Sequence, residues 1–279
     1  MTMDPQIARQ TWRTLEPVYG AVFTPADAEP VYVAIGLKPG RMCYFASRAA
    51  PLGAASAEMV ISTFFNFNPQ VVRRVIPEAW SLATPEAILA ARLVAADAVL
   101  RRTLGDALGS AEMAEAAALA RTAAEVACDR PEGRPLFAGH ASLPWPTEAH
   151  LVLWHAQALL REYRGDGHIA ALVVDGMTGL DALICHAASG EVPAEMLRGS
   201  RGYSEDEWAA GVESLAGRGI LHADASFTDE GRARRERVEL VTDELAAAPY
   251  AAIGEDGCKR LRALARPFST TIVEGRGNV

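Results

Sequence analysis

Apolar residues recur at helical spacing through most of this chain, and that period constrains the fold more than any other feature. Thr84-Pro85-Glu86-Ala87 has the form of a helix start: a threonine N-cap, proline at the first helical position and an acid in the first turn. The helix it opens should run to about Leu104, before Gly105, and another should follow from Ser110 to about Cys128. Residues 5–19 can form an opening helix with Ile7, Trp12 and Leu15 on one face. Residues 54–65 and 69–77 read as shorter helices, with the stretch between residues 25 and 40 broken up by prolines and glycines. Residues 148–163 form a further helix, and the glycines of Arg164-Gly165-Asp166-Gly167-His168 should end it in a tight turn.

The chain has 279 residues, enough for two domains of ordinary size. Prolines at 131, 135, 144 and 146 make residues 129–147 the best candidate boundary, giving expected domains 1–145 and 146–279. Half the residues are apolar, so disorder and fibrous folds are excluded. Thirty-five acids outnumber 27 basic residues, for a formal charge of −8, which argues against a surface coated for nucleic acid. Cys43, Cys128, Cys185 and Cys258 are scattered with no CxxC pair, as expected of reduced thiols. No secretory start and no apolar run near the roughly 20 residues a bilayer needs is visible, so the expected setting is cytoplasmic, without a membrane.

The C-terminal half carries the most specific pattern. Ser204-Glu205-Asp206-Glu207 opens a helix with Trp208, Val212 and Leu215 at helical spacing. Two short strand-like pieces, 220–222 and 226–228, then flank Ala223-Asp224-Ala225, and Thr228 starts a long charged helix to about Ala248. Helix, Leu-x-x-Arg-Gly-Ile-Leu, turn, Phe-Thr-x-x-Gly-Arg and long helix resembles the C-terminal part of winged-helix domains of the MarR type, over roughly residues 175–248. The strings Tyr-Phe-Ala-x-Arg-Ala-Ala-Pro-Leu-Gly, Phe-x-Asn-Phe-x-Pro and Leu-Arg-Glu-x-Arg-Gly-Asp-Gly-His are similar to those of an actinobacterial group of winged-helix-containing proteins. Tyr163 stands where that last string would have histidine. The resemblance implies a mainly α fold, an N-terminal helical domain followed by a winged helix-turn-helix domain with a short β-hairpin wing. It implies no reaction.

In the MarR type the helix before the wing enters the major groove, and wing arginines grip phosphates. Here that helix carries Glu205, Asp206, Glu207 and Glu213, with Arg218 only at its end, and the wing tip offers Asp224. Residues 201–244 hold six arginines against eleven acids. Phosphate contacts dominate protein–DNA affinity, so specific DNA binding is not expected. Arg232, Arg234, Arg235 and Arg237 read as a solvated, ion-paired helix face.

Two constellations carry chemistry. Between His155 and His168 lie Arg161, Glu162, Arg164 and Asp166. Arg161 and Arg164 suit an anionic ligand through bidentate geometry. His168 or His155 could act as a general base oriented by Asp166 or Glu162. His155, Glu162 and His168 could ligate a metal, although the spacing matches no zinc signature. The competing reading is a buried ion-pair network tying the domains together, with His168 as a cap. Earlier, Arg48 lies among small and apolar residues near Tyr44 and the amides Asn66 and Asn68, an arrangement suited to an anionic or aromatic small molecule, or else a phenylalanine-rich core with asparagines capping a turn.

The expected protein therefore binds a small anionic or aromatic molecule between its domains, with catalysis left open and no cofactor named. Arg48, Arg161, Arg164, Tyr44 and Asn66 would hold the ligand, and His168, Asp166, His155 and Glu162 would act as acid/base or orienting groups. Arg48 and the 161–168 segment should then face one cavity. The alternative is a MarR-like, ligand-responsive transcription regulator; a third possibility uses the winged helix to make a homodimer.

Overall fold

The computed structural model describes residues 3–23 and 25–276. The N-terminal half contributes α1 (Pro5–Gly20), α2 (Pro25–Ala34), α3 (Arg41–Ala49), α4 (Ala57–Phe64), α5 (Pro69–Arg73), α6 (Ile76–Leu82), α7 (Pro85–Leu104), α8 (Ala111–Cys128) and α9 (Pro135–Ala141). There follow α10 (Ala149–Val174), α11 (Gly179–Ala188), α12 (Ala194–Arg201), α13 (Glu205–Gly217), α14 (Asp229–Ala251) and α15 (Gly254–Arg276). The helix starts obey their local chemistry. Thr84 Oγ1 accepts from Ala87 N, Ser204 and Glu207 close a reciprocal capping box, and Thr228 Oγ1 accepts from Gly231 N.

α10 is the axis of the molecule. Nearly every side chain from His150 to Asp166 is buried, as expected of a helix covered on all sides. α1, α8, α9 and α14 pack around it. The α8 face against this core is Ala116, Ala117, Ala120, Ala123, Ala124 and Ala127, small residues at helical spacing that let backbones approach closely. α15 returns across the molecule onto α1, where Ser269 Oγ donates to Thr14 O at 2.6 Å and Arg262 Nη1 to Thr11 Oγ1 at 2.9 Å. The largest core thus draws residues from both sides of position 145. A phenylalanine-rich satellite (Phe45, Phe64, Phe67) lies under α3–α6. A third cluster, with Ile184, Leu215, Ile220, Phe227 and Val238, holds α11, α13 and the start of α14 together. No single helix among the described residues is long and apolar enough to cross a membrane.

Two expectations are corrected. The mainly α character stands, but no β-strand, and hence no β-hairpin wing, exists among the described residues. Between α13 and α14 the backbone makes one antiparallel bridge, Leu221 to Phe227, closed by a His222 N–H to Ser226 carbonyl bond of 2.8 Å. Three residues on either side of a turn that puts Ala225 at φ 64° leave too little length for a paired ladder. The second correction concerns Gly165 and Gly167, which do not end a helix: α10 runs through both. A Cβ on Gly167 would lie 2.9 Å from Arg134 Nη1 and 3.4 Å from Leu245 Cβ, so this glycine serves close packing rather than a turn. The expected boundary segment also contains a docked helix, α9, with Leu136, Phe137 and His140 buried.

Candidate functional site

Because α10 is continuous, Glu162, Asp166 and His168 are placed by helical geometry. Residues 162 and 166 share a side, whereas 166 and 168 point roughly 200° apart. Glu162 is 1% exposed and collects three partners from distant parts of the chain and from its own helix. Tyr19 Oη donates to Oε1 at 2.7 Å; Arg48 Nη2 reaches Oε1 and Oε2 at 3.3 and 3.2 Å; Arg161 Nη1 reaches both oxygens at 3.0 and 2.9 Å. Burial alone would raise the Glu162 pKa, but Arg161 and Arg48 hold its carboxyl well below the usual range. Arg48 is itself 6% exposed and lies over the Phe64 ring, while its Nη1 donates to Tyr44 Oη at 3.2 Å. Burial pushes Glu16, beside Arg161 and Glu162, above its ordinary value.

Asp166 and His168 do not pair. Asp166 Oδ2 accepts from Phe137 N at 2.9 Å, capping the first turn of α9 from outside, and burial pushes its pKa up to about 6. His168 Nδ1 lies 2.9 Å from Thr242 Oγ1, whose own hydrogen goes to Val238 O at 2.7 Å. The ring must therefore be the donor, with a proton on Nδ1. Burial lowers its pKa to about 4. Arg164 Nη2 donates to Asp243 Oδ1 at 2.8 Å and stacks over Trp12. His155 lies apart from this group, edge-on to Trp145, with Nε2 unpartnered among the described residues and its pKa lowered by burial to about 4. The His155, Glu162, His168 combination is not assembled as a metal site; no group of three potential ligands is, among the described residues.

Arg48, Arg161, Arg164, Asp166 and His168 nonetheless line one cleft of about 340 Å³, together with Tyr44, Asn66 and residues of α11 and α12. Six arginines on its wall (13, 48, 161, 164, 201, 235) face four carboxylates (162, 166, 191, 239). The cleft ends at the turn from α12 into α13, which the N-terminal half grips. Arg41 Nη1 and Nη2 donate to the Ser200 and Gly199 carbonyls at 3.1 and 3.0 Å, Asn68 N donates to Arg201 O at 3.0 Å, and Asn68 Nδ2 to Glu207 Oε1 at 3.0 Å. Gly202 sits there at φ 79°, and a Cβ on it would lie 2.5 Å from Val71 Cγ1.

The exposed face of α13 carries Glu205, Asp206, Glu207, Ala209, Ala210, Glu213 and Ser214, with no basic residue. Arg218, at its end, is held by Asp181 at 2.9 Å. Arg234 and Arg237 both reach Asp175, Arg232 pairs with Asp229, and Arg235 approaches Glu191. The ion pairs expected for this helix exist, but most run to other elements instead of along the helix.

Sequence reasoning missed Tyr19, Glu16, Asp243, Arg41 and Arg201. Tyr19, Glu16 and Asp243 lie on α1 and α14 and meet α10 only through tertiary packing. The core arginine Arg92, 2% exposed over Trp154 with Nε and Nη2 unpartnered among the described residues, also escaped notice because an arginine within a helical pattern reads as surface. Compared with known proteins, residues 8–278 match a family model described as a helix-turn-helix family. No curated protein and no solved structure matches the chain.

Proposed function

Since the chain belongs to that helix-turn-helix family, we propose that it is a regulator-like protein whose helix-turn-helix unit forms one wall of a small-molecule site and does not read DNA through α13. The observation that carries this reading is the cleft itself: residues of α3, α10, α11 and α12 converge on one arginine-rich space, with α11 to α13 read as the helix-turn-helix unit. Ligand sites favour such junctions, lined by aromatic groups with a few fixed charges. The ligand is a small anion with an apolar or aromatic body. A thermal-shift screen of organic acids tests the binding reading, and it fails if no acid raises the midpoint at millimolar concentration.

Family membership favours a second reading, a DNA-binding regulator, which the sequence resemblance would make a MarR-like protein on a defined operator. The acidic face of α13 opposes it, because a protein that neutralises few phosphates gains little from counterion release, the main source of DNA affinity. Fluorescence anisotropy across genomic fragments at physiological salt should show only weak, salt-sensitive binding. Nanomolar affinity for one site would establish the second reading in place of the first.

A further inference from the structure

Next to the cleft, and sharing Tyr44, Phe67 and Arg201 with it, lies a second cavity of about 420 Å³ between α2, α3 and the end of α12. Its walls are aromatic, chiefly Phe23, Tyr32, Tyr44 and Phe67, and its only carboxylate among the described residues is Glu29, which accepts from Gly40 N at 2.5 Å. Two arginines reach it, Arg41 and Arg201, and neither has a carboxylate partner among the described residues. Arg201 is half-buried over the Phe67 ring, with its Nε 3.4 Å from Asn66 Oδ1 and Nη1 on Ser200 Oγ. It stands in the positive field of Arg48, Arg161 and Arg41, and burial together with that field disfavours its charge. A half-buried guanidinium without a counter-ion, at the mouth of an aromatic pocket, is the arrangement a carboxylate on a flat ring would complete.

We infer that the ligand sits at the end of the cleft where Tyr44, Phe67 and Arg201 open it into this aromatic pocket, and not on the Glu162 network. It is a planar aromatic monocarboxylate, with its ring in the pocket between Tyr32, Tyr44 and Phe67 and its carboxylate on Arg201, supported by Arg41. The inference rests on the small-molecule reading above and assigns its chemistry. The site also reports directly to the turn from α12 into α13, since Arg41 holds the last carbonyls of α12 and Asn68 holds Arg201 O. An occupant drawing on Arg41 loosens the grip on the turn leading into α13.

The test is titration calorimetry of the full chain with 2-naphthoate and its neutral counterpart 2-naphthamide. The expected result is binding of naphthoate, with the amide and the Arg201→Gln variant each weaker by about 10- to 100-fold, as for loss of a charged hydrogen bond. Arg201→Lys should keep part of the affinity, and circular dichroism should show both variants folded. If naphthoate binds Arg201→Gln as tightly as wild type, the assignment is overturned while the small-molecule reading survives. If naphthoate does not bind the wild type and only non-aromatic acids in the thermal-shift screen do, this ligand class is wrong. If nothing in that screen binds, both readings fall.

Discussion

Two arginine clusters meet along the cleft, the second extending from Arg201 into the neighbouring aromatic pocket, and they are built in opposite ways. At the middle of α10, Arg48 from α3 and Arg161 share the buried carboxylate of Glu162, with Tyr19 from α1 adding a fourth group, so every charge has a partner within the chain. At the end of α12, Arg201 and Arg41 have only carbonyl, hydroxyl and amide acceptors among the described residues. A satisfied buried network resists change and fixes the relative placement of α1, α3 and α10. An unsatisfied charge in a cavity is instead free to meet a ligand. The difference supports the proposal that the first cluster is architecture and the second recognition, although the sequence places arginines in both alike.

The largest effect should come from breaking the first cluster at its hub. Glu162→Gln leaves Arg48 buried, and the half-buried Arg161, without their shared counter-charge, and removal of one partner of a buried pair costs about 3–5 kcal/mol. Equilibrium urea unfolding reads this directly, as a lowered midpoint with an unchanged slope. An Arg161 or Arg48 that simply relocated to solvent would leave the midpoint near that of wild type and dissolve the distinction.

Smaller effects follow from the titrating groups around α10. Burial lowers His140 to about 3 and His155 and His168 to about 4, from an ordinary 6.5. Between those values and 6.5 the unfolded chain binds protons that the folded chain refuses, so stability falls as pH is lowered through this window. Asp166 acts in the opposite sense: held up at about 6 by burial, it keeps a proton that the unfolded chain has lost above 3.8. His186 is lowered by burial as well, and Glu16 and Asp243 are raised like Asp166. Four histidines whose unfolded forms titrate from 6.5, against three acids of which Asp166 titrates only from about 6, give a net loss of stability from pH 7 to pH 5. The Glu162 contribution persists through that range, because its depressed carboxyl stays ionised until much lower pH. His168→Asn should flatten the slope by one histidine's share and cost about 1 kcal/mol at pH 7 through the lost Thr242 bond. A slope unchanged by that substitution would mean that His168 does not titrate as its burial requires.

Local chemistry made much of this fold legible. Thr84-Pro85, Ser204 with Glu207, and Thr228 announce helix starts that the structure contains, because caps depend on neighbours in sequence. The bend at residues 220–228 was visible as a reversal, but its extent was not, since a strand exists only where a partner of sufficient length lies beside it. Gly165 and Gly167 misled for a related reason. Their local preference for a turn is outweighed by packing, and at Gly167 it is Arg134 and Leu245 that need the space a side chain would fill. Within the site, Arg48, Tyr44, Asn66 and the α10 charges could be picked out by composition, yet which arginine is satisfied depends on Tyr19, Asp243 and Glu162 arriving from far away. His155, attractive on spacing alone, ends against Trp145.

The contrast between compensated and uncompensated arginines is tested most directly by removing one charge from each cluster. Arg48→Gln and Arg201→Gln should be compared side by side in urea without ligand. Arg48→Gln is expected to lose about 3 kcal/mol, because it strands part of a buried ion-pair network. Arg201→Gln should lose no more than about 1 kcal/mol, because the ring contact and hydrogen bonds it forfeits are offset by relief of an unpaired charge. Equal losses at the two positions would contradict the account, since Arg201 would then be as much a part of the architecture as Arg48.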